Sequence, residues 1–238
     1  MSRSKGRLVF AHYLFTAMMY GIGAVALGIA LLPSVLCVWY FWQHSTDLLI
    51  GLRLLALSVL LMFGYFLFGV VLIFVAGLTR RLLRLNISEG VHPIGSITML
   101  KWMMSSALII AVRFFFMDFM LLTPLTPVFF KIMGAKVGDN VQINSARVGD
   151  LSLLEIGDNA VIGGGATVIC HLFEKEGLKV RRVRIGNNVI VGLNAVVMPG
   201  AELGDGSVIA AGALVTKDMK IAPGSVHYGV EHHHPDPV

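Results

Sequence analysis

From Ile185 to Ile221 an aliphatic residue returns at every sixth position: Ile185, Val191, Val197, Leu203, Ile209, Val215 and Ile221. The same template runs earlier, in Val137-Gly-Asp-Asn-Val-Gln, Ile156-Gly-Asp-Asn-Ala-Val and Ile162-Gly-Gly-Gly-Ala-Thr. A fixed period of six marks a solenoid, and seven consecutive sixes in register exclude glycines scattered by chance through loops. Four places after the aliphatic stands a small residue: Ala160, Ala166, Ala195, Ala201, Ser207 or Ala213. Such a pattern builds a three-sided parallel β-helix. The aliphatic fills the prism, the small residue fits a corner, and Gly or Asn takes the turn. Successive coils then stack about 4.8 Å apart, each pairing with the next. Val137 to Val226, less its insertion, makes about four coils of this kind.

The register breaks twice, mildly around Val148 to Glu155 and strongly between Val168 and Ile185, where about eleven residues are added to one repeat. A solenoid expels such an insertion as a loop on one face. This one holds Cys170, His171, Glu174, Lys175, Glu176, Lys179, Arg181, Arg182 and Arg184.

The chain before the repeat has a different character. No formal charge occurs from Leu8 to Thr46 or from Leu54 to Thr79. Each run exceeds the roughly 20 residues that cross a bilayer core. The sequence therefore predicts two transmembrane helices within residues 1–92, at about 8–43 and 48–80. Trp39, Tyr40 and Trp42 form an aromatic belt where the first leaves the bilayer. The first run is too long for the apolar core of a cleaved signal peptide.

Ile97 to Phe130 is apolar but contains Lys101, Arg113 and Asp118, and Pro124 and Pro127 end any helix there. An ionic group at mid-bilayer costs at least about 2.5–3.5 kcal/mol. Residues 93–134 are accordingly expected to lie in the interface or against the two spans. Residues 135–230 would form the β-helix and 231–238 a tail, in which His232, His233 and His234 have no catalytic role.

Residues 1–135 carry ten Lys/Arg against three Asp/Glu, net +7, while 136–238 carry nine against eleven, net −2. The basic surplus thus belongs to the apolar half and reports topology rather than a nucleic-acid partner. Arg3, Lys5 and Arg7 precede the first span, Arg80, Arg81 and Arg84 follow the second, and only Asp47 lies in the connector. Both basic flanks, and with them the repeat domain, are expected in the cytoplasm of an integral membrane protein. Cys37 and Cys170 are too few for a disulfide framework or a four-ligand zinc site.

On these residues the chain resembles the hexapeptide-repeat, left-handed β-helix acyltransferases, a family that includes galactoside, maltose and xenobiotic acetyltransferases. The resemblance rests on Asn144, Asp150, the inserted loop with His171, the Ile185-Gly-Asn-Asn-Val189 rung and the ending Ile209-Ala-Ala-Gly-Ala-Leu-Val-Thr-Lys-Asp218. It covers about residues 135–230. It implies that His171 is the general base, that Asn144 and Asp150 lie near the acceptor, and that acyl-CoA (acetyl-CoA) binds in the crevice between subunits of a homotrimer. Gly192, Ala211, Thr216 and Lys217 would contact that co-substrate.

The front half looks like the membrane-bound terminal region of poly-lysine-synthetase-type peptide synthetases. The residues concerned are Ile87 to Ser96, Lys101-Trp102, Thr123 to Pro127, Met133 to Gly138 and Gly149 to Asp158. That region strings together three units, each resembling two transmembrane helices and a hexapeptide domain, and this chain looks like one unit.

Acyl transfer from a thioester needs a base for the acceptor's proton, a donor for the developing oxyanion and dry alignment of the reactants. Histidine, with an ordinary pKa of about 6.5, suits the first role. A carboxylate on its other ring nitrogen would fix the tautomer, and Glu155 and Glu174 are candidates. Lys179, Arg181, Arg182 and Arg184 either solvate the loop or gather a phosphate or anionic lipid. A zinc hydratase on this fold would need three converging histidines, and His171 has no partner histidine in the rungs, so no metal is expected. Three functions are compatible with these residues. The first is acyl transfer from acyl-CoA to a hydroxyl or amine of a small-molecule or lipid-linked acceptor. The second is amide formation from an aminoacyl thioester on an acyl or peptidyl carrier protein. The third is a non-enzymatic trimeric scaffold.

Overall fold

A computed structural model describes residues 2–229, with side chains from Tyr13 onward. The His232 to His234 tail lies outside the described residues. The chain divides into two compact units, one of Met1–Leu83 with Ile110–Phe115, the other of Arg84–Ile109 with Phe116–Val238.

The first unit is a helical pair, α1 (Ser2–His44) and α2 (Ile50–Leu82). Neither has an acid in its first turn, and α2 has no side-chain cap; long apolar composition carries them instead. They meet through small residues, where Ser34 Oγ donates to the Gly64 carbonyl at 2.6 Å. Tyr65 donates its hydroxyl proton to the Phe115 carbonyl, and Phe68 meets Phe115 edge-on. At the connector Arg53 lies over the Trp42 ring at 3.9 Å and donates to the Trp42 carbonyl and Ser45 Oγ. Leu49, Phe63, Leu55 and Tyr20 are largely exposed.

Among the described residues three helical stretches are long and apolar enough to cross a membrane: Tyr13–His44, Ile50–Leu82 and Ile97–Met120, with mean hydropathies of 2.3, 2.7 and 1.7. The segment expected at the interface thus also has the length of a span. It comprises α3 (Ile97–Val112), a π-helical turn (Arg113–Met117) and the short α4 (Asp118–Met120), and its charged Arg113 and Asp118 are exposed. Helix α5 (Leu125–Ile132) starts directly after Pro124 and carries Pro127 in its first turn, where the missing N–H has no intrahelical partner to lose, so Pro127 does not end a helix as the sequence suggested; α5 buries Phe129 and Phe130.

In the second unit β1 (Gly90–His92) precedes α3, and all later strands but two belong to three parallel sheets. The first face stacks β2 (Lys136–Val137), β4 (Leu154–Ile156), β9 (Val183–Ile185), β12 (Glu202–Leu203) and β15 (Lys220–Ile221). The second stacks β3 (Gln142–Ile143), β5 (Val161–Ile162), β10 (Ile190–Val191), β13 (Val208–Ile209) and β16 (Val226–His227). The third holds β6 (Thr167–Val168), β11 (Val196–Val197) and β14 (Leu214–Val215). The remaining pair is a hairpin, β7 (His171–Glu174) and β8 (Gly177–Val180).

This is the β-helix that the period of six predicts. The aliphatic column is inside, with Ile162, Val168, Val191, Val197, Ile209 and Val215 fully buried, and the small column Ala160, Ala166, Ala195, Ala201 and Ser207 is equally closed. The turns need left-handed backbone, supplied by Asn140, Asn159, Asn188 and Asn194 with φ of 53° to 55°. The three outer faces differ. Lys136, Glu155, Arg184, Glu202 and Lys220 alternate in sign up the first, joined by contacts of 2.8, 3.3, 2.9 and 3.2 Å. The second presents Val161, Ile190, Val208 and Val226 in register.

Candidate active site

The insertion after β6 leaves the prism as the β7–β8 hairpin, and β1 adds to its free edge, pairing Gly90 with Val180 and His92 with Leu178. A Cβ at Gly177, whose φ is +129°, would collide with the His92 carbonyl, so this approach requires glycine. Glu89, just before β1, accepts from the Arg182 backbone N–H at 3.1 Å and from its guanidinium at 3.2 Å. Burial raises the Glu89 carboxyl, and these Arg182 contacts outweigh it, leaving the group below its ordinary value of 4.5.

At the base of this hairpin His171 meets Asp150, Nδ1 to Oδ2, at 2.6 Å. Asp150 sits at the mild break in register, in left-handed backbone (φ 51°) at the head of a 3-10 turn, Leu151–Leu153. Its side chain is 1% exposed and accepts two further hydrogen bonds, from the Cys170 backbone N–H to Oδ2 at 2.9 Å and from the Trp102 indole to Oδ1 at 2.8 Å. Two fixed donors, the Cys170 N–H and the Trp102 indole, already point at this carboxylate; an ionised carboxylate only accepts, and the His171 tautomer that matches it carries its hydrogen on Nδ1 and turns the Nε2 lone pair outward. The imidazole is 26% exposed, and the Trp102 ring stands 4.6 Å from it, with Phe173 edge-on to Trp102 at 5.7 Å. Burial pushes the neighbouring Cys170 thiol well up, and the Asp150 charge adds to this, so Cys170 is no nucleophile at neutral pH.

The two glutamates expected to hold His171 are engaged elsewhere. Glu155 lies on the first face and pairs with Lys136, Arg182 and Arg184. Glu174, at the hairpin tip, accepts from Lys217 at 2.8 Å and faces Lys179 at 3.7 Å. The orienting carboxylate is Asp150, brought in by the turn that the mild break creates. Asn144 stands exposed on a different corner, after the second face, and does not join this hydrogen-bonded group. Gly192 and Ala211 stack on that same corner, where a Cβ at Gly192 would come within 2.6 Å of the Ala211 nitrogen. Thr216 and Lys217 follow the third face, on the hairpin's side. The Lys217 ammonium is pushed up and the Glu174 carboxyl down by their mutual hydrogen bond. Lys179 and Arg181 face Asp218 at 3.8 and 3.5 Å, which accounts for half of the basic cluster. Among the described residues no group of three His, Cys, Asp or Glu could hold a metal ion.

Trp102 carries part of this site and was not singled out by the repeat, because it precedes the repeat by a whole helix. The available signal was a Lys101-Trp102 pair near the start of an otherwise apolar run.

The description "Hexapeptide repeat of succinyl-transferase" matches residues 182–217. The chain is 28% identical over 114 residues to the delta-poly-L-ornithine synthetase of Acinetobacter baumannii, covering 48% of this chain and 9% of that protein. It is 36% identical over 113 residues to the galactoside O-acetyltransferase of Escherichia coli, covering 44% of this chain and 55% of that protein. Among solved structures, a galactoside acetyltransferase in complex with coenzyme A aligns at 31% identity and a TM-score of 0.33, over 42% of this chain and 62% of that one. The chain spans less than two thirds of the length of each of these proteins. In its repeat and in its relatives, the chain is similar to the hexapeptide-repeat acetyltransferases.

Proposed function

We propose that this protein is a membrane-integral acyltransferase in which His171, oriented by Asp150, is the general base. The observation that carries the proposal is the 2.6 Å contact between His171 Nδ1 and a carboxylate that is 1% exposed, at the one large break in the β-helix. Nε2 takes the proton of a hydroxyl or amine acceptor as its oxygen or nitrogen attacks an acyl thioester. The tetrahedral adduct then collapses with loss of the C–S bond, and the imidazolium returns its proton to the leaving thiolate. Asp150 stabilises that imidazolium and keeps Nδ1 protonated throughout.

Acetyl-CoA is the donor favoured by the likeness to an O-acetyltransferase. Gly192, Ala211, Thr216 and Lys217 would line its path, and Lys217 would have to leave Glu174 to meet a phosphate. A homotrimer is supported by the apolar column on the second face, Val161, Ile190, Val208 and Val226, with Leu193 57% exposed beside it. The apolar helices fit a membrane location, the basic flanks Arg80, Arg81 and Arg84 a cytoplasmic β-helix, and both together a small-molecule or lipid-linked acceptor.

The match to a poly-ornithine synthetase favours a second reading, amide formation from an aminoacyl thioester on a carrier protein. Purified full-length protein given acetyl-CoA or a charged carrier protein, each with mixed amine and alcohol acceptors, separates the two by which thioester is consumed. Consumption of neither, with no binding of CoA by calorimetry, would leave a scaffold.

A further inference from the structure

The catalytic pair is completed from outside the repeat. Asp150 Oδ2 is occupied by the Cys170 N–H and His171, and Oδ1 accepts from the Trp102 indole at 2.8 Å. Trp102 belongs to the first turns of α3, a helix that the hexapeptide pattern does not contain. Its ring also confines the imidazole, with centroids 4.6 Å apart. Resting on the acyltransferase reading, we propose that Trp102 is a positioning residue for the base. Its indole N–H holds the Asp150 carboxylate in the rotamer that keeps Oδ2 on His171, and so sets how readily the imidazole binds a proton.

A carboxylate this buried needs its donors, because a lost hydrogen bond is not replaced by water. When the indole N–H is removed, Oδ1 loses its partner, and the adjacent group able to compensate is His171, by taking up a proton. The proton affinity of His171 therefore rises. The other ionisable groups placed about the pair are the Cys170 thiol beside it, and Arg182 and Glu89, whose charges reach Cys170. These three keep their own partners when residue 102 is changed, so a shift is traceable to Trp102. The same contact makes α3 part of the site. An isolated β-helix of residues 135–230 would contain His171 and Asp150 without the group that fixes them.

The test needs no substrate. Diethylpyrocarbonate acylates neutral imidazole, so its rate of reaction at His171 against pH, followed by mass spectrometry of the peptide in the full-length detergent-solubilised protein, gives the midpoint of His171 protonation. Trp102→Phe should raise that midpoint by roughly half to one pH unit, up to about a tenfold change in proton affinity, with the other histidines unmoved. Replacement of residue 102 with 3-benzothienylalanine, which keeps the ring and exchanges only N–H for sulfur, should do the same and covers the case in which the Phe variant fails to fold. An unchanged or lowered midpoint in the benzothienyl protein overturns the proposal. The acyltransferase reading fails on a different result, full thioester turnover in His171→Ala, so the two cannot be confused.

Discussion

Each rung of the β-helix places an aliphatic inside, a small residue at the corner and a left-handed Asn or Gly at the turn, whereas residues 170–182 and the turn at Asp150 abandon all three. The rungs need only their neighbours; the departures draw on distant segments. His171 is held by Asp150, 21 positions away, Asp150 by Trp102, 48 positions away, and Arg182 by Glu89, 93 positions away. The contrast shows how a monotonous scaffold acquires a site. Where the repeat is obeyed, inward side chains are committed to stacking, and the buried carboxylate among the described residues, Asp150, lies where it lapses.

Changes on the two sides of this contrast should fail differently. His171→Ala should lower acyl transfer by about 10²–10⁴-fold with little loss of thermal stability, measured as turnover and unfolding midpoint on the same preparation. Normal turnover would remove the loop from the chemistry. Asp150→Asn should cost comparably, up to about 10⁴-fold in turnover, because an amide can hold the wrong tautomer of His171. Its activity should not be restored at higher pH, and recovery there would mean that Asp150 acts only through charge.

Ile162→Ala, inside the regular rungs, should do the reverse. It should destabilise the fold by about 2–5 kcal/mol, read by denaturant unfolding, while the surviving folded fraction keeps its specific activity. Loss of specific activity would show that rungs and loop are not separable.

The smallest effect should come from the charge ladder. Lys136 first, then Arg182 and Arg184, hold the Glu155 carboxyl below 4.5, against a contrary push from burial. A depressed carboxylate stabilises the fold above its unfolded pKa, and that contribution disappears as the pH falls through the lower folded value. The thermal midpoint should therefore be flat near neutrality and fall below about pH 4.5. Glu155→Gln should remove part of this slope and cost roughly 0.2–1 kcal/mol at neutral pH. An unchanged acid slope in that variant would assign it to other carboxylates.

The fold was largely legible in the sequence because its period is set by buried volume. Ile162, Val191 and Ala195 announce their places by size and spacing alone. His171 was legible too, since an insertion in a solenoid has nowhere to go but outward. The partner of His171 was not. Glu155 and Glu174 are as close in sequence as Asp150 and chemically equivalent, and what decides among them is the left-handed turn at Asp150 that aims its carboxylate inward, with Glu155 on the first outer face and Glu174 at the hairpin tip. Trp102 was hidden for a related reason, because the folding of a helix against a hairpin leaves no period to read. The segment Ile97–Met120 was ambiguous because Lys101, Arg113 and Asp118 interrupt a stretch that is otherwise long enough to cross a membrane.

The alternating charges of the first face have a consequence for assembly. Hexapeptide coils are near copies in shape, so a growing prism could accept the wrong coil with nearly the same fit of its aliphatic wedge. Skipping one coil would set Lys136 against Arg184, or Glu155 against Glu202, like charges at the spacing of adjacent strands, where they destabilise. The column Lys, Glu, Arg, Glu, Lys thus gives otherwise interchangeable layers a parity, and misthreading by a single layer is penalised along the whole stack.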